Sequence, residues 1–243
     1  MTLFLTSSPT GPLDRSRHVE GLDPKNGFIT SLKRRWRAGS RCLMIAAAPD
    51  EFERSDERCA HMYHAFRISG LPCACVDVWD HRTEDFSLEV LYTYDVVILG
   101  GGHVPTQNEF FRSIGLREKI ARYPGIVIGI SAGTMNCAQW VYAQPELEGE
   151  SVDPNYSRVL PGLALTQVNV LPHYQMVKDF MLDGKRLFED ITYPDSMGNC
   201  FYALVDGSYI ISCGGIEIIY GEAYRIADGE IQKICDEGWT YTL

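Results

Sequence analysis

The chain of 243 residues has no excess of positive charge, no long apolar run and no paired-cysteine pattern, and each absence removes a class of function. Lys and Arg number 22 against 32 Asp and Glu, for a formal net charge of −10. Nucleic-acid binding calls for a basic patch, and the one local cluster, Lys33-Arg34-Arg35 with Arg37, falls on a predicted helix face. No nucleic-acid partner is expected. No stretch approaches the ~20 apolar residues that span a bilayer, so no membrane partner is expected either. The opening Met-Thr-Leu-Phe-Leu-Thr-Ser-Ser lacks the basic start and the length of a signal peptide and reads as a first strand. The 8 cysteines contain no CxxC pair and no small-domain framework. Several, Cys42 and Cys213 among them, sit in apolar runs. They are expected to be buried free thiols of a cytoplasmic protein. No His/Cys or His/Glu spacing resembles a metal site, and neither a metal nor a cofactor is expected.

What is present is ordinary globular composition, 45% apolar and 22% charged, in a length that suits one domain over 1–243. Apolar strand-like runs at 3–6, 41–47, 73–78, 94–99 and 126–130 alternate with helical patterns at 27–37, 51–69, 107–114, 116–122 and 134–142. Continuous apolar strands separated by helices predict an α/β fold, a three-layer α/β/α arrangement around a mostly parallel sheet. The last third changes character. Short strands at 202–205, 209–212, 217–220, 223–226 and 231–234 are separated by Asp206-Gly207, Gly214-Gly215 and Asp228-Gly229, which are hairpin signals. They are expected to form an antiparallel C-terminal extension of the same sheet.

The most informative segment is Gly125-Ile-Val-Ile-Gly129-Ile-Ser131-Ala132-Gly133-Thr134. A buried strand, a sharp turn with serine at its apex and a helix make a nucleophile elbow. The plain alternative is a tight turn whose serine caps the helix. Gly100-Gly101-Gly102-His103 follows the strand at 94–99, and open parallel sheets place ligand sites at such carboxyl ends. Without a GKS/T or GxGxxG continuation, the run fits an oxyanion hole better than a phosphate cradle. Gly101, Gly102 and Ala132 are the expected donors, and His103 is expected to touch substrate.

Serine needs a base, normally histidine. His18 lies in a polar loop, His61 and His64 on a helix surface, and His81 in a charged loop. His173 ends the run 164–174, which reads as the strand after the elbow helix, so His173 would share a sheet edge with Ser131. The loop between them carries Glu146, Glu148, Glu150 and Asp153. One could turn inward to orient the histidine, and spacing does not select it.

Gly129-Ile-Ser-Ala-Gly133 with Leu171-Pro-His173-Tyr some 40 residues on is more specific than GxSxG alone. With Ser7-Ser8 after the first strand, the strand at 44–48, Gly100-Gly-Gly, Asp206-Gly-Ser and Tyr220-Gly-Glu-Ala, the chain resembles the peptidase E and cyanophycinase family of serine peptidases over nearly its whole length. That resemblance implies a class I glutamine amidotransferase-like fold. It also implies Ser131 as nucleophile, His173 as base, an oxyanion hole from the glycine run and Ala132, and an Asp or Glu from the intervening loop. Glu150 and Glu146 are the first choices for that acid, with Glu148 close behind. Two departures stand out: family members commonly follow the glycine run with Asn where this chain has His103, and the acid loop differs in length. The expected reaction is hydrolysis of a small peptide, and a homodimer is compatible with the family. The rival readings are an α/β-hydrolase-type esterase and a catalytically silent binding protein on the same scaffold.

Overall fold

The computed structural model describes residues 1–10 and 21–243; His18 lies outside the described residues. Its main sheet is built on five parallel strands: β1 (Thr2–Thr6), β2 (Ser40–Ile45), β3 (Cys73–Trp79), β4 (Val96–Leu99) and β5 (Ile126–Ile130). They run in the order β3, β2, β4, β5, β1. Three strands then continue the sheet antiparallel beyond β1, namely Tyr209–Cys213, Ile216–Tyr220 and Thr240–Thr242.

Side-chain alternation along these strands divides the core into two layers. Leu3, Leu5, Leu43, Ile45, Val97, Leu99 and Val127 point to one face, where Phe110, Phe111, Leu116 and Ile120 of the helices Val104–Ser113 and Leu116–Ile120 cover them. Phe4, Cys42, Met44, Val96, Ile98, Ile126 and Ile128 point to the other, covered by Phe28 and Leu32 of Phe28–Lys33 and by Cys59, Met62 and Phe66 of Phe52–Ile68. The result is an α/β/α sandwich. Each large aliphatic or aromatic side chain buried this way contributes roughly 1.5–3 kcal/mol. That explains why β4 and β5 are apolar at nearly every position rather than alternating.

The C-terminal third departs from the expected single sheet. Cys200–Leu204, Ala223–Ala227 and Glu230–Cys235 leave the main sheet and join Asn169–Leu171 in a second, four-stranded sheet. Within it, Cys200–Leu204 runs parallel to Asn169–Leu171, with Ala203 opposite Leu171. The run 164–174 is a strand only at 169–171, because its first part is claimed by the exit of the elbow helix. Leu163 N donates to Asn136 O, and Leu165 N to Cys137 O. The elbow helix is also shorter than expected, Ala132–Met135. The β-prone Trp140–Tyr142 that follows pairs instead with Val159–Pro161. Cys213 is exposed at its strand end, although Cys42, Cys59, Cys73, Cys137 and Cys235 are buried. None of the described helices is long and apolar enough to cross a membrane.

Two glycines set how closely the elbow packs on the sheet. A Cβ on Gly133 would lie 2.2 Å from Leu99 O, and one on Gly129 would lie 2.8 Å from Thr134 Cα. Both contacts are with backbone, which cannot give way locally. Gly133→Ala is therefore expected to destabilise the protein by at least the ~1–3 kcal/mol typical of overpacking, read as a lower thermal midpoint. An unchanged midpoint would contradict this packing.

Candidate active site

Ser131 stands between β5 and its helix with φ 51 and ψ −112, a left-handed region that non-glycine residues occupy at a cost. The surrounding bonds hold it there. Its N–H donates to Thr6 O at 3.1 Å, and its C=O accepts from Met135 N at 3.0 Å. Thr134 Oγ1 donates to the same Thr6 carbonyl at 2.8 Å. The strained turn projects the hydroxyl off the carboxyl end of the sheet.

His173 comes to it from the second sheet. Asn169–Leu171 ends at Pro172, and His173 adopts φ 58, ψ 30 as the chain turns into the short helix Tyr174–Val177. Its Nε2 lies 2.9 Å from Ser131 Oγ. Its Nδ1 lies 2.7 Å from Oδ1 of Asp206.

Asp206, not a carboxylate of the 144–153 loop, thus faces the imidazole. Its side chain has 0% exposure and every partner is specific. Ser7 Oγ donates to Oδ1 at 2.7 Å, and Gln175 Nε2 donates to Oδ2 at 2.7 Å. The Asp206 N–H donates to Gln175 Oε1 at 3.0 Å. Ser7 also accepts the His173 N–H at 2.8 Å, so one hydroxyl fixes both members of the pair. Burial opposes ionisation of Asp206. The hydrogen bond and charge of His173, with the Ser7 and Gln175 bonds, outweigh it and hold the carboxyl below its ordinary range. An ionised carboxylate can only accept, so Nδ1 carries the proton and Nε2 presents its lone pair to the Ser131 hydroxyl.

Of the expected orienting acids, Glu150 is engaged elsewhere and Glu146 makes no bond to His173. Glu150 Oε1 pairs with His103 Nε2 at 2.7 Å, while Oε2 accepts from the N–H groups of Glu146 and Leu147 at 2.8 and 2.9 Å. Glu150 thereby folds its own loop back and ties it to His103. Glu146 and Glu148 are exposed. Strand register, not local sequence, places Asp206 here. It lies three residues past Ala203, whose parallel partner Leu171 lies two residues before His173, so the two side chains leave neighbouring strands at the same edge.

Of the expected oxyanion donors, Gly101 and Ala132 adjoin the serine, whereas a Cβ on Gly102 would meet Ala47. Gly101 packs on it closely enough that a Cβ there would lie 3.5 Å from Ser131 Cβ. Ala132 opens the elbow helix. Among the described residues, the N–H groups of Gly101, Gly102 and Ala132 have no hydrogen-bond partner. His103 caps the helix Val104–Ser113 beside this turn, its Nδ1 2.8 Å from Thr106 Oγ1 and its Nε2 on Glu150.

A serine on an elbow, a histidine in line and a buried aspartate behind it make up the constellation shared by serine hydrolases. The chain order Ser131, His173, Asp206 differs from the Ser, acid, His order of α/β-hydrolases, which removes the main support for an esterase of that type. Residues 28–216 match the model of peptidase family S51, and the chain belongs to that family of serine-type peptidases. A crystal structure of a peptidase from an acI-B1 Actinobacterium is similar with a TM-score of 0.68 at 16% identity, covering 100% of this chain and 96% of that one. A crystal structure of a "Putative Peptidase E Protein" from Listeria monocytogenes EGD-e is similar with a TM-score of 0.58 at 18% identity, covering 96% of this chain and 98% of that one. At these identities the likeness is one of fold. No curated protein matches the chain in sequence.

The lowered position of Asp206 makes a prediction about stability. A carboxyl whose folded value lies below its unfolded value of about 3.9 contributes stability above that pH and loses it as pH falls through the folded value. The stability gap between wild type and Asp206→Asn is expected to narrow as pH falls below about 4. Urea unfolding at a series of pH values checks this, and a gap that widens in acid would contradict it.

Proposed function

We propose that the protein hydrolyses the amide bond of small peptides through an acyl-enzyme, with Ser131 as nucleophile, His173 as general base and acid, and Asp206 as the group that orients the histidine. The observation that carries this reading is the unbroken line from Ser131 Oγ through His173 to the buried Asp206 carboxylate, at 2.9 and 2.7 Å. His173 Nε2 takes the hydroxyl proton as Oγ attacks the peptide carbonyl. The developing imidazolium is stabilised by the carboxylate on Nδ1. The oxyanion is met by the N–H groups of Gly101 and Ala132, with Gly102 beside them. Collapse of the tetrahedral intermediate expels the amine, which receives the proton from Nε2. Water then attacks the ester with His173 again as base, returning the serine and releasing the carboxylic acid.

Family membership supports a peptidase, and a dipeptidase or other exopeptidase is the form proposed here. His103 stands at the position nearest the glycine turn and is proposed to contact the substrate. Its bond to Glu150 makes that contact surface different in charge from an asparagine.

Hydrolysis of a library of dipeptides and isoaspartyl peptides tests the reading. Wild type is expected to turn over at least one member. Ser131→Ala is expected to have no measurable turnover, and Asp206→Asn to lose about 10³- to 10⁴-fold in kcat, because the wrong tautomer faces the serine. Turnover of the same peptide by folded Ser131→Ala at the wild-type rate would overturn it.

A further inference from the structure

An oxyanion donor works only if its N–H is held on one point while charge develops there. The Gly100–Gly102 turn carries no side chains to hold its peptide planes, so its orientation must be imposed by neighbours. Gln107 of the helix Val104–Ser113 has 0% exposure, and its Nε2 donates to Gly100 O at 2.6 Å. In a trans peptide the C=O and the following N–H point in opposite directions. Fixing the Gly100 carbonyl toward Gln107 therefore aims the Gly101 N–H the other way, and Gly101 is the turn residue packed on Ser131.

The other end of the same amide reaches the elbow. Gln107 Oε1 accepts from Asn136 Nδ2 at 3.1 Å, and that nitrogen also donates to Val104 O at 3.2 Å. Asn136 is the residue that closes the elbow helix begun by Ala132. Asn108 completes the chain, its Nδ2 donating to Asn136 Oδ1 at 2.9 Å and to Pro161 O at 3.0 Å. Asn108 and Asn136 are buried as well. Arg58 Nη1 pins the next carbonyl, Gly101 O, by the same logic.

We infer that Gln107 is a positioning residue, whose buried amide holds the Gly101 N–H in a fixed relation to the Ala132 N–H so that both meet the oxyanion. This rests on the reaction proposed above and adds to it the group that preorganises the donors. Packing alone would need only the volume of Gln107. Positioning needs its donor at one end and its acceptor at the other.

Two substitutions separate these roles. Gln107→Met keeps the length and removes the donor. It is expected to lower kcat by about 10- to 100-fold, the scale of a misplaced group, while KM stays nearly constant. Binding of a peptide aldehyde, which becomes a tetrahedral adduct on Ser131, is expected to weaken by the same factor as kcat/KM. Gln107→Glu retains a donor and an acceptor only while its carboxyl is protonated, a form that burial favours. Its activity relative to wild type is expected to approach one at low pH and to fall as pH rises. Folded Gln107→Met with wild-type kcat, a loss confined to KM, or a Gln107→Glu ratio flat in pH would each overturn the inference. If Gln107→Met does not fold, the Gln107→Glu profile decides. A wild type that cleaves no peptide overturns both this inference and the reaction it rests on, whereas an active wild type with unaffected variants overturns this one alone.

Discussion

The site depends on one buried carboxylate. Asp206 is withdrawn from solvent, a position that would cost several kcal/mol for an unpaired ion, and it is tolerated because three side chains from different parts of the fold converge on it. Ser7 ends the central strand of the main sheet. His173 ends the first strand of the second sheet, and Gln175 sits on the short helix that follows. The carboxylate is therefore both the electrostatic partner of the imidazole and a joint between the two sheets. The same bonds that satisfy it fix the tautomer of His173 and bring Nε2 to Ser131.

The opposite side of the serine is organised by a different device. The elbow helix lies so close to β5 at Gly129 and to β4 at Gly133 that neither glycine admits a Cβ. That closeness brings the glycine turn after β4 against Ser131. On that side Gln107 Nε2 and Arg58 Nη1 hold the carbonyls of Gly100 and Gly101, and Asn136 and Asn108 continue the chain of buried amides. His103 and Glu150 stand at the rim of the turn, joined through Nε2 and Oε1 at 2.7 Å.

Sequence legibility followed the range of the interactions. The β5–Ser131 elbow is local, written in consecutive residues, and so is legible down to the serine at its apex, although not to that serine's positive φ. Its helix was overextended because Trp140–Tyr142 finds a strand partner nearly twenty residues away at Val159–Pro161. His173 was readable from its place after an apolar run and a proline, although the strand it ends belongs to a second sheet. Asp206 was read as a hairpin signal, which it also resembles. Its role rests on the parallel pairing of Cys200–Leu204 with Asn169–Leu171, a long-range register that no local pattern encodes. Local pattern therefore favours Glu146 and Glu150, which lie between Ser131 and His173 in the chain. Both are close in sequence, but the Glu150 carboxylate is bound to its own loop and to His103, and Glu146 is exposed. The Gln107, Asn108 and Asn136 network left no trace in a hydrophobicity pattern, since each is a polar residue buried within a helix or at its end.

The central claim is that Ser131 is activated by the His173–Asp206 pair. The most direct measurement is the rate at which a fluorophosphonate forms a covalent adduct, with the modified residue located by mass spectrometry of the digested protein. Wild type should label at Ser131 alone, and Asp206→Asn should label there far more slowly while remaining folded. Labelling at another residue, or equal rates at Ser131 with and without the Asp206 carboxylate, would contradict the account.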